Sequence, residues 1–141
     1  MPHKELGPGR VFLVRADHDS DLIGLIAQFA KKQQISLAYF TAVGALKQAK
    51  LGFYDQQKHE YTEVQVSEPT ELASCIGNIT KDGTSFVHAH AVLADEKGRM
   101  WGGHLIGGVV FAAEVHITEL LGESFIVRRK DEVTGLALWD M

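Results

Sequence analysis

The stretch Thr84-Ser85-Phe86-Val87-His88-Ala89-His90-Ala91-Val92-Leu93-Ala94-Asp95-Glu96-Lys97-Gly98-Arg99-Met100-Trp101-Gly102-Gly103-His104 governs how the remainder of the chain is interpreted. Two apolar, β-rich runs flank a short polar segment with one glycine, the pattern of a β-hairpin. Side chains alternate between the faces of an extended strand, so His88 and His90 share one face. If Glu96-Lys97-Gly98 is a three-residue loop, a type I turn followed by glycine in the left-handed region, Asp95 faces Arg99. Counting back along both strands then sets His90 opposite His104, with His88 diagonal to it. Three imidazoles converge, a facial set that suits a divalent ion with a further position left for water or substrate. A two-residue loop would shift the register by one and turn His104 to the other face.

The chain has 141 residues, 45% of them hydrophobic and 23% charged, the size and balance of one globular domain spanning residues 1–141. Its net charge of -4 offers no general attraction to a phosphate backbone. The single cysteine, Cys75, excludes an internal disulfide and sits in an apolar run as a small buried hydrophobe. The start carries no secretory pattern and no segment is apolar enough for a membrane span, so a soluble cytoplasmic protein is expected.

Arg10 to Ala16 reads as a first strand after a turn-like Gly7-Pro8-Gly9, and Asp17, Asp19 or Ser20 can cap a helix beginning just beyond them. Between Asp21 and Gln34, Leu22, Ile23, Leu25, Ile26, Phe29 and Ala30 recur at helical spacing, with Lys31 and Lys32 in the last turn. Ile35 to Ala45 suggests a strand buried on both faces, with a bend at Gly44, and Lys47 to Asp55 a second strand. Tyr61 to Val66 and Glu71 to Thr80 add two more, and Lys81-Asp82-Gly83 turns the chain into the histidine strand. After the hairpin, Gly107-Gly108 is expected to break the chain before a strand over Val109 to Leu121. Ser124 to Arg129 makes a last strand ahead of a turn at Asp131 to Gly135, and the apolar tail Leu136 to Trp139 can dock. The sum is an α+β fold, a single domain with a largely antiparallel or mixed sheet and one main N-terminal helix.

Other candidates are weaker. Glu114 lies on a strand close in sequence to the hairpin, where a carboxylate could orient a histidine or act as general base, against the plain alternative of a solvated or salt-bridged side chain. His116 shares its face and is a substitute ligand, whereas His3, His18 and His59 fall in loops without a partner at ligand spacing. Gly102-Gly103 and Gly107-Gly108 lack the spacing of a phosphate loop. Arg128-Arg129-Lys130, the only basic run, is offset by Asp131-Glu132 and reads as an exposed strand end.

Taken in order, the helix, Val43-Gly44-Ala45-Leu46, Glu71-Leu72 through Gly77-Asn78, His88-Ala89-His90, Asp95 to Gly98, Gly102-Gly103-His104-Leu105, Ala113-Glu114-Val115, Arg128-Arg129 and Thr134-Gly135-Leu136 resemble the plants-and-prokaryotes-conserved domain over roughly Gly9 to Leu138. The resemblance implies a compact domain that assembles as a homotrimer, with a zinc-type site on His88, His90 and His104. The three-histidine arrangement is also similar to that of acetolactate decarboxylase, a zinc enzyme of similar fold. Plant relatives join the domain to AT-hook peptides, and prokaryotic ones are often described as predicted DNA-binding proteins; this chain has no AT-hook core. The expectations are a trimer holding zinc, or another divalent transition metal, at an open three-histidine site for a small-molecule ligand or substrate. If it is an enzyme, its chemistry is hydrolase- or lyase-like. The alternatives are a DNA-associated regulatory module and a structural trimer with a vestigial site.

Overall fold

The computed structural model describes residues 1–82, 84–122 and 126–141. The elements run β1 (Gly7–Arg15), α1 (Leu22–Lys32), β2 (Leu37–Asp55), β3 (Glu60–Val66), β4 (Thr70–Asp82), β5 (Thr84–Ala94), β6 (Met100–Leu121), β7 (Arg128–Lys130) and β8 (Ala137–Trp139). Six strands form one sheet in the order β1-β6-β5-β4-β2-β3, with β6 also paired to β2. That extra pairing closes β2, β4, β5 and β6 into a circuit and leaves β1 and β3 on its flanks. Every strand pairing among the described residues is antiparallel, and β7 and β8 form a separate ribbon. The expected α+β fold with one main N-terminal helix is observed, and no helix among the described residues is long and apolar enough to cross a membrane.

The sheet wraps its inward side chains around the helix. Leu22, Ile26 and Ala30, four residues apart, form the buried stripe of α1. They join Phe40, Leu46, Leu72, Ile79, Leu93, Leu105, Val110 and Ile117 in one core. The helix cap is Asp21 rather than Asp17, Asp19 or Ser20: Asp21 Oδ2 accepts from the Gly24 N–H at 2.8 Å, while its Oδ1 accepts from the Gly108 N–H at 2.9 Å. One carboxylate thus ties the helix start to β6. At the other end Gln34 takes a left-handed conformation, and the Gln34 and Ile35 N–H groups return to the carbonyls of Lys31 and Ala30. This Schellman closure ends the helix without a glycine.

Several expected boundaries differ. Gly7-Pro8-Gly9 belongs to β1 rather than to a turn. The segments read as two strands, Ile35 to Ala45 and Lys47 to Asp55, are one strand, β2, bulged near Gly44. At φ +148° a Cβ on Gly44 would lie 2.2 Å from the Ala112 carbonyl oxygen, so only glycine lets β2 and β6 approach there. Nor is that strand buried on both faces: Tyr39, Thr41 and Val43 point outward, alternating with buried Ala38, Phe40 and Ala42. Gly107-Gly108 does not break the chain, because β6 runs through it; room for Asp21 and Leu46 is what the pair provides. Lys81 and Asp82 continue β4, and Gly83 lies outside the described residues. The strand expected over Ser124 to Arg129 is observed as β7, Arg128–Lys130, with Ser124 and Phe125 outside the described residues, and the tail adds a further strand, β8.

Candidate metal centre

The hairpin register is the one the loop chemistry requires. The Asp95 N–H donates to the Arg99 carbonyl at 3.0 Å, and Gly98 sits at φ +74°. Asp95 Oδ1 accepts from the Lys97 and Arg99 N–H groups, and Oδ2 from Arg99 Nε at 2.6 Å. Burial pushes the Asp95 carboxyl up, but the Arg99 and Lys97 hydrogen bonds outweigh it and hold the group below its ordinary value. From this clamp the pairing runs Ala94 to Met100, Leu93 to Trp101, Val92 to Gly102, Ala91 to Gly103 and His90 to His104.

On β5 the even-numbered side chains Phe86, His88, His90 and Val92 face outward, while Ala89, Ala91 and Leu93 enter the core. The ring centroids of His88, His90 and His104 stand 5.2, 5.2 and 5.6 Å apart, a nearly equilateral triangle. One nitrogen from each ring can be chosen so that all three lie within 4.8 Å of one another. Burial, followed by His104, Arg128 and His90, pushes the His88 imidazole down to about 4, and burial together with His90 lowers His104. Both rings are therefore neutral near pH 7 and keep a lone pair to donate. The Nδ1 atom of His104 is buried and has no hydrogen-bond partner among the described residues. A buried nitrogen left without a partner is costly. Neutral imidazoles with an unsatisfied donor atom fit a divalent metal, so the residues present suit the group the hairpin predicts.

Two walls enclose this triangle. On one side Tyr61 packs 5.4 Å from His104 and 5.0 Å from Tyr54, whose hydroxyl donates to the Thr134 carbonyl at 2.7 Å. On the other, Asn78 stands opposite His88 in the β4–β5 ladder, and its Oδ1 accepts from Arg128 Nη2 at 2.7 Å. The β7–β8 ribbon thus touches the sheet on both sides of the histidines. Beside the triangle lies a cleft of about 370 Å³ lined by Tyr39, Thr41, Ile76, Asn78 and two of the three histidines, His88 and His90.

Arg128 is a correction to the sequence reading. It is not an exposed strand end: its guanidinium lies 4.8 Å over the Phe86 ring and 5.8 Å from that of Trp139. Asp131 does not offset it either, since the Asp131 carboxylate accepts from the Thr134 N–H and hydroxyl. No local pattern marks Arg128, because its partners come from β4, β5 and β8.

Glu114 and His116 are not brought to the histidine triangle. His116 stands opposite Thr41, Thr41 opposite Ile76, and Ile76 opposite His90. Three strand spacings separate the two histidines, roughly 14 Å along the sheet. Glu114, paired with Val43 and Arg15, joins His116, Leu13 and Thr41 around a different concavity. His3, His18 and His59 lie outside the strands. Cys75 is buried, and that burial pushes its thiol up to about 11, the inert residue expected.

A metal-containing protein from Archaeoglobus fulgidus has a solved structure 39% identical to this chain, with a TM-score of 0.95 and each chain covered over 100% of its length. A plant- and prokaryote-conserved (PPC) protein of Pyrococcus horikoshii is 40% identical with a TM-score of 0.92, covering 100% of this chain and 98% of its own. A Staphylococcus aureus protein of unknown function similar to alpha-acetolactate decarboxylase shares the fold at 14% identity and a TM-score of 0.51, over 80% of this chain and 53% of that one. Among curated proteins, the bifunctional protein GlmU of Synechococcus sp. (strain JA-3-3Ab) is 34% identical over 132 residues, 92% of this chain. The chain spans only 20% of that relative's length. The family model of the Plants and Prokaryotes Conserved domain matches residues 3–121, from the segment before β1 to the end of β6, and to that family this chain belongs.

Proposed function

We propose that this chain is a metal-binding protein in which His88, His90 and His104 hold a single divalent ion, zinc for preference, and leave a position open to a small molecule from the adjoining cleft. The observation that carries the assignment is the convergence of one nitrogen from each ring within 4.8 Å, on strands whose register a turn clamps. Zinc suits neutral imidazoles at about 2.0–2.1 Å, and nickel, iron or copper would accept the same ligands. When bound, such an ion supplies Lewis acidity to the small molecule it coordinates. The chain's own residues orient the site: Tyr61 packs against His104, and Asn78 stands beside His88. Glu114 is assigned no proton transfer here, since β2 and β4 lie between it and the histidines of β5.

Assembly as a homotrimer is proposed from the outward face of the sheet. Val11 is 59% exposed, Leu13 85% and Val43 53%, and the strand pairings place them on one face, on the two strands that flank this stretch of β6. Apolar patches of this kind mark association surfaces. DNA association has less to rest on, as the basic run is engaged within the chain: Arg128 by Asn78 and Phe86, and Arg129 by Asp140.

The test is metal analysis of protein purified without a histidine tag and without added metal, together with light scattering. About one transition-metal ion per chain is expected, with none in a His88→Ala/His104→Ala variant of unchanged fold. Equal metal in both proteins would sink the site, and a monomer at micromolar concentration would sink the trimer.

A further inference from the structure

Four arginines of this chain can be compared by their partners. Arg10 is paired with Glu119, Arg99 with Asp95 and Arg129 with Asp140, each through a carboxylate. Arg128 has none among the described residues. Its Nε donates to Thr80 Oγ1 at 3.2 Å, Nη1 to the Ala137 carbonyl at 2.7 Å and Nη2 to Asn78 Oδ1 at 2.7 Å, all neutral acceptors. A guanidinium carries five N–H donors, so two remain, one on each Nη. A partly buried cation without a counter-charge is expensive. The cost here is visible, since burial lowers the Arg128 pKa. The described groups it touches add no negative charge: Phe86 and Trp139 are aromatic, Asn78 and Thr80 neutral, and Ala137 offers a carbonyl.

This cation lies behind one lining residue of the histidine cleft and reaches the cleft through it. Asn78 receives the guanidinium and also lines the cleft, directly opposite His88. The floor between them is short and mixed: Ile76 and Tyr39 give apolar area and Thr41 a hydroxyl. Arg128 lies beyond residues 3–121, the part of the chain that the family model matches.

We infer that Arg128 binds the carboxylate of a small ligand seated in this cleft, with the ligand's other end directed to the three histidines. The histidine end rests on the metal site proposed above; the arginine end does not. A guanidinium at one end of the cleft and a metal ion at the other would make it strongly positive, and a compact anion with a short apolar body satisfies both ends and the floor.

The experiment titrates the full chain with acetate, propionate and inorganic phosphate, with acetamide as the neutral control. It follows the Arg128 Nε–H resonance by ¹⁵N NMR in metal-free and zinc-loaded protein, and the visible spectrum of the cobalt(II)-loaded form. Acetate and propionate are expected to move the Nε–H signal saturably and acetamide not to; stronger binding of phosphate than of either carboxylate would overturn the carboxylate assignment. In Arg128→Met, which keeps the aliphatic packing, carboxylate affinity should fall about 10- to 100-fold, the range of a charge-assisted hydrogen bond, with metal content unchanged. Equal carboxylate affinity in wild type and Arg128→Met overturns the inference and leaves the metal site standing. Failure of wild type to take up metal removes the metal site, and the metal-free NMR titration then decides the arginine end alone. Should Arg128→Met fail to fold, an Nε–H signal in wild type that ignores every carboxylate overturns the proposal.

Discussion

The β5–β6 hairpin carries the three histidines and the β7–β8 ribbon meets the sheet beside them through Arg128, and the two are held by different forces. The hairpin is anchored from beneath: Ala89, Ala91, Leu93, Leu105 and Val110 are core residues, so its outward histidines inherit a position fixed by packing. The ribbon is two strands of three residues each, none of them buried, tethered by the hydroxyl of Tyr54 and the guanidinium of Arg128. A side chain carried on a packed sheet is preorganised, whereas one on a polar tether depends on a few hydrogen bonds. The contrast separates a histidine triangle fixed by packing from an arginine held by a few polar and ring contacts.

The severest way to break the hairpin side is to delete Gly98. A two-residue loop turns His104 to the opposite face if the pairing is kept, so metal content is expected to fall from about one per chain to none by elemental analysis. Retention of full metal by the deletion variant would mean the register does not govern the site. Next come paired truncations on the two regions. Leu93→Ala, in the core beneath the histidines, should cost about 2–5 kcal/mol by chemical denaturation. Leu138→Ala, exposed on the ribbon, should cost less than about 1 kcal/mol. Equal costs would show that the ribbon is as firmly packed as the sheet.

The contrast also explains which features are legible in the chain itself. The β5–β6 register follows from a local count, because Asp95, Gly98 and the alternation of His88 and His90 lie within a few residues of one another. The helix is legible for the same reason, in Leu22, Ile26 and Ala30. Where β2 and β6 run on without interruption is not legible, since Gly44 and Gly107-Gly108 resemble breaks until Ala112, Asp21 and Leu46 are seen packed against them. Parity alone also leaves Glu114 a neighbour of the site; the strand order, which no local pattern encodes, sets β2 and β4 between them. Arg128 escapes notice because every group that holds it, from Thr80 and Asn78 to Phe86 and Trp139, is supplied by another element or by the tail.

A finer test of the ribbon is Tyr54→Phe, which removes only the hydroxyl that donates to Thr134. Amide exchange at Asp131 and Gly135 should quicken severalfold while core amides such as Leu93 keep their protection. Uniform loss of protection would mean ribbon and sheet open together. The smallest effect concerns the far end of β6. The Arg10 side chain, hydrogen-bonded to Glu119 at 2.7 Å, outweighs burial and holds the Glu119 carboxyl below its ordinary 4.5. A carboxyl lowered on folding stabilises above its unfolded value and loses that contribution as the pH falls through its folded value. The melting-temperature gap between wild type and Glu119→Gln should therefore stay constant from pH 7 to about 5 and narrow below about 4. A gap that widens on acidification would reverse the sign.

Anomalous diffraction at the zinc edge, from crystals of tag-free protein grown with zinc, tests the central assignment most directly. The expected result is one strong peak about 2.0–2.1 Å from a nitrogen of each of His88, His90 and His104. A map without a peak among the three rings, while ordered zinc appears elsewhere in the same crystal, would contradict it.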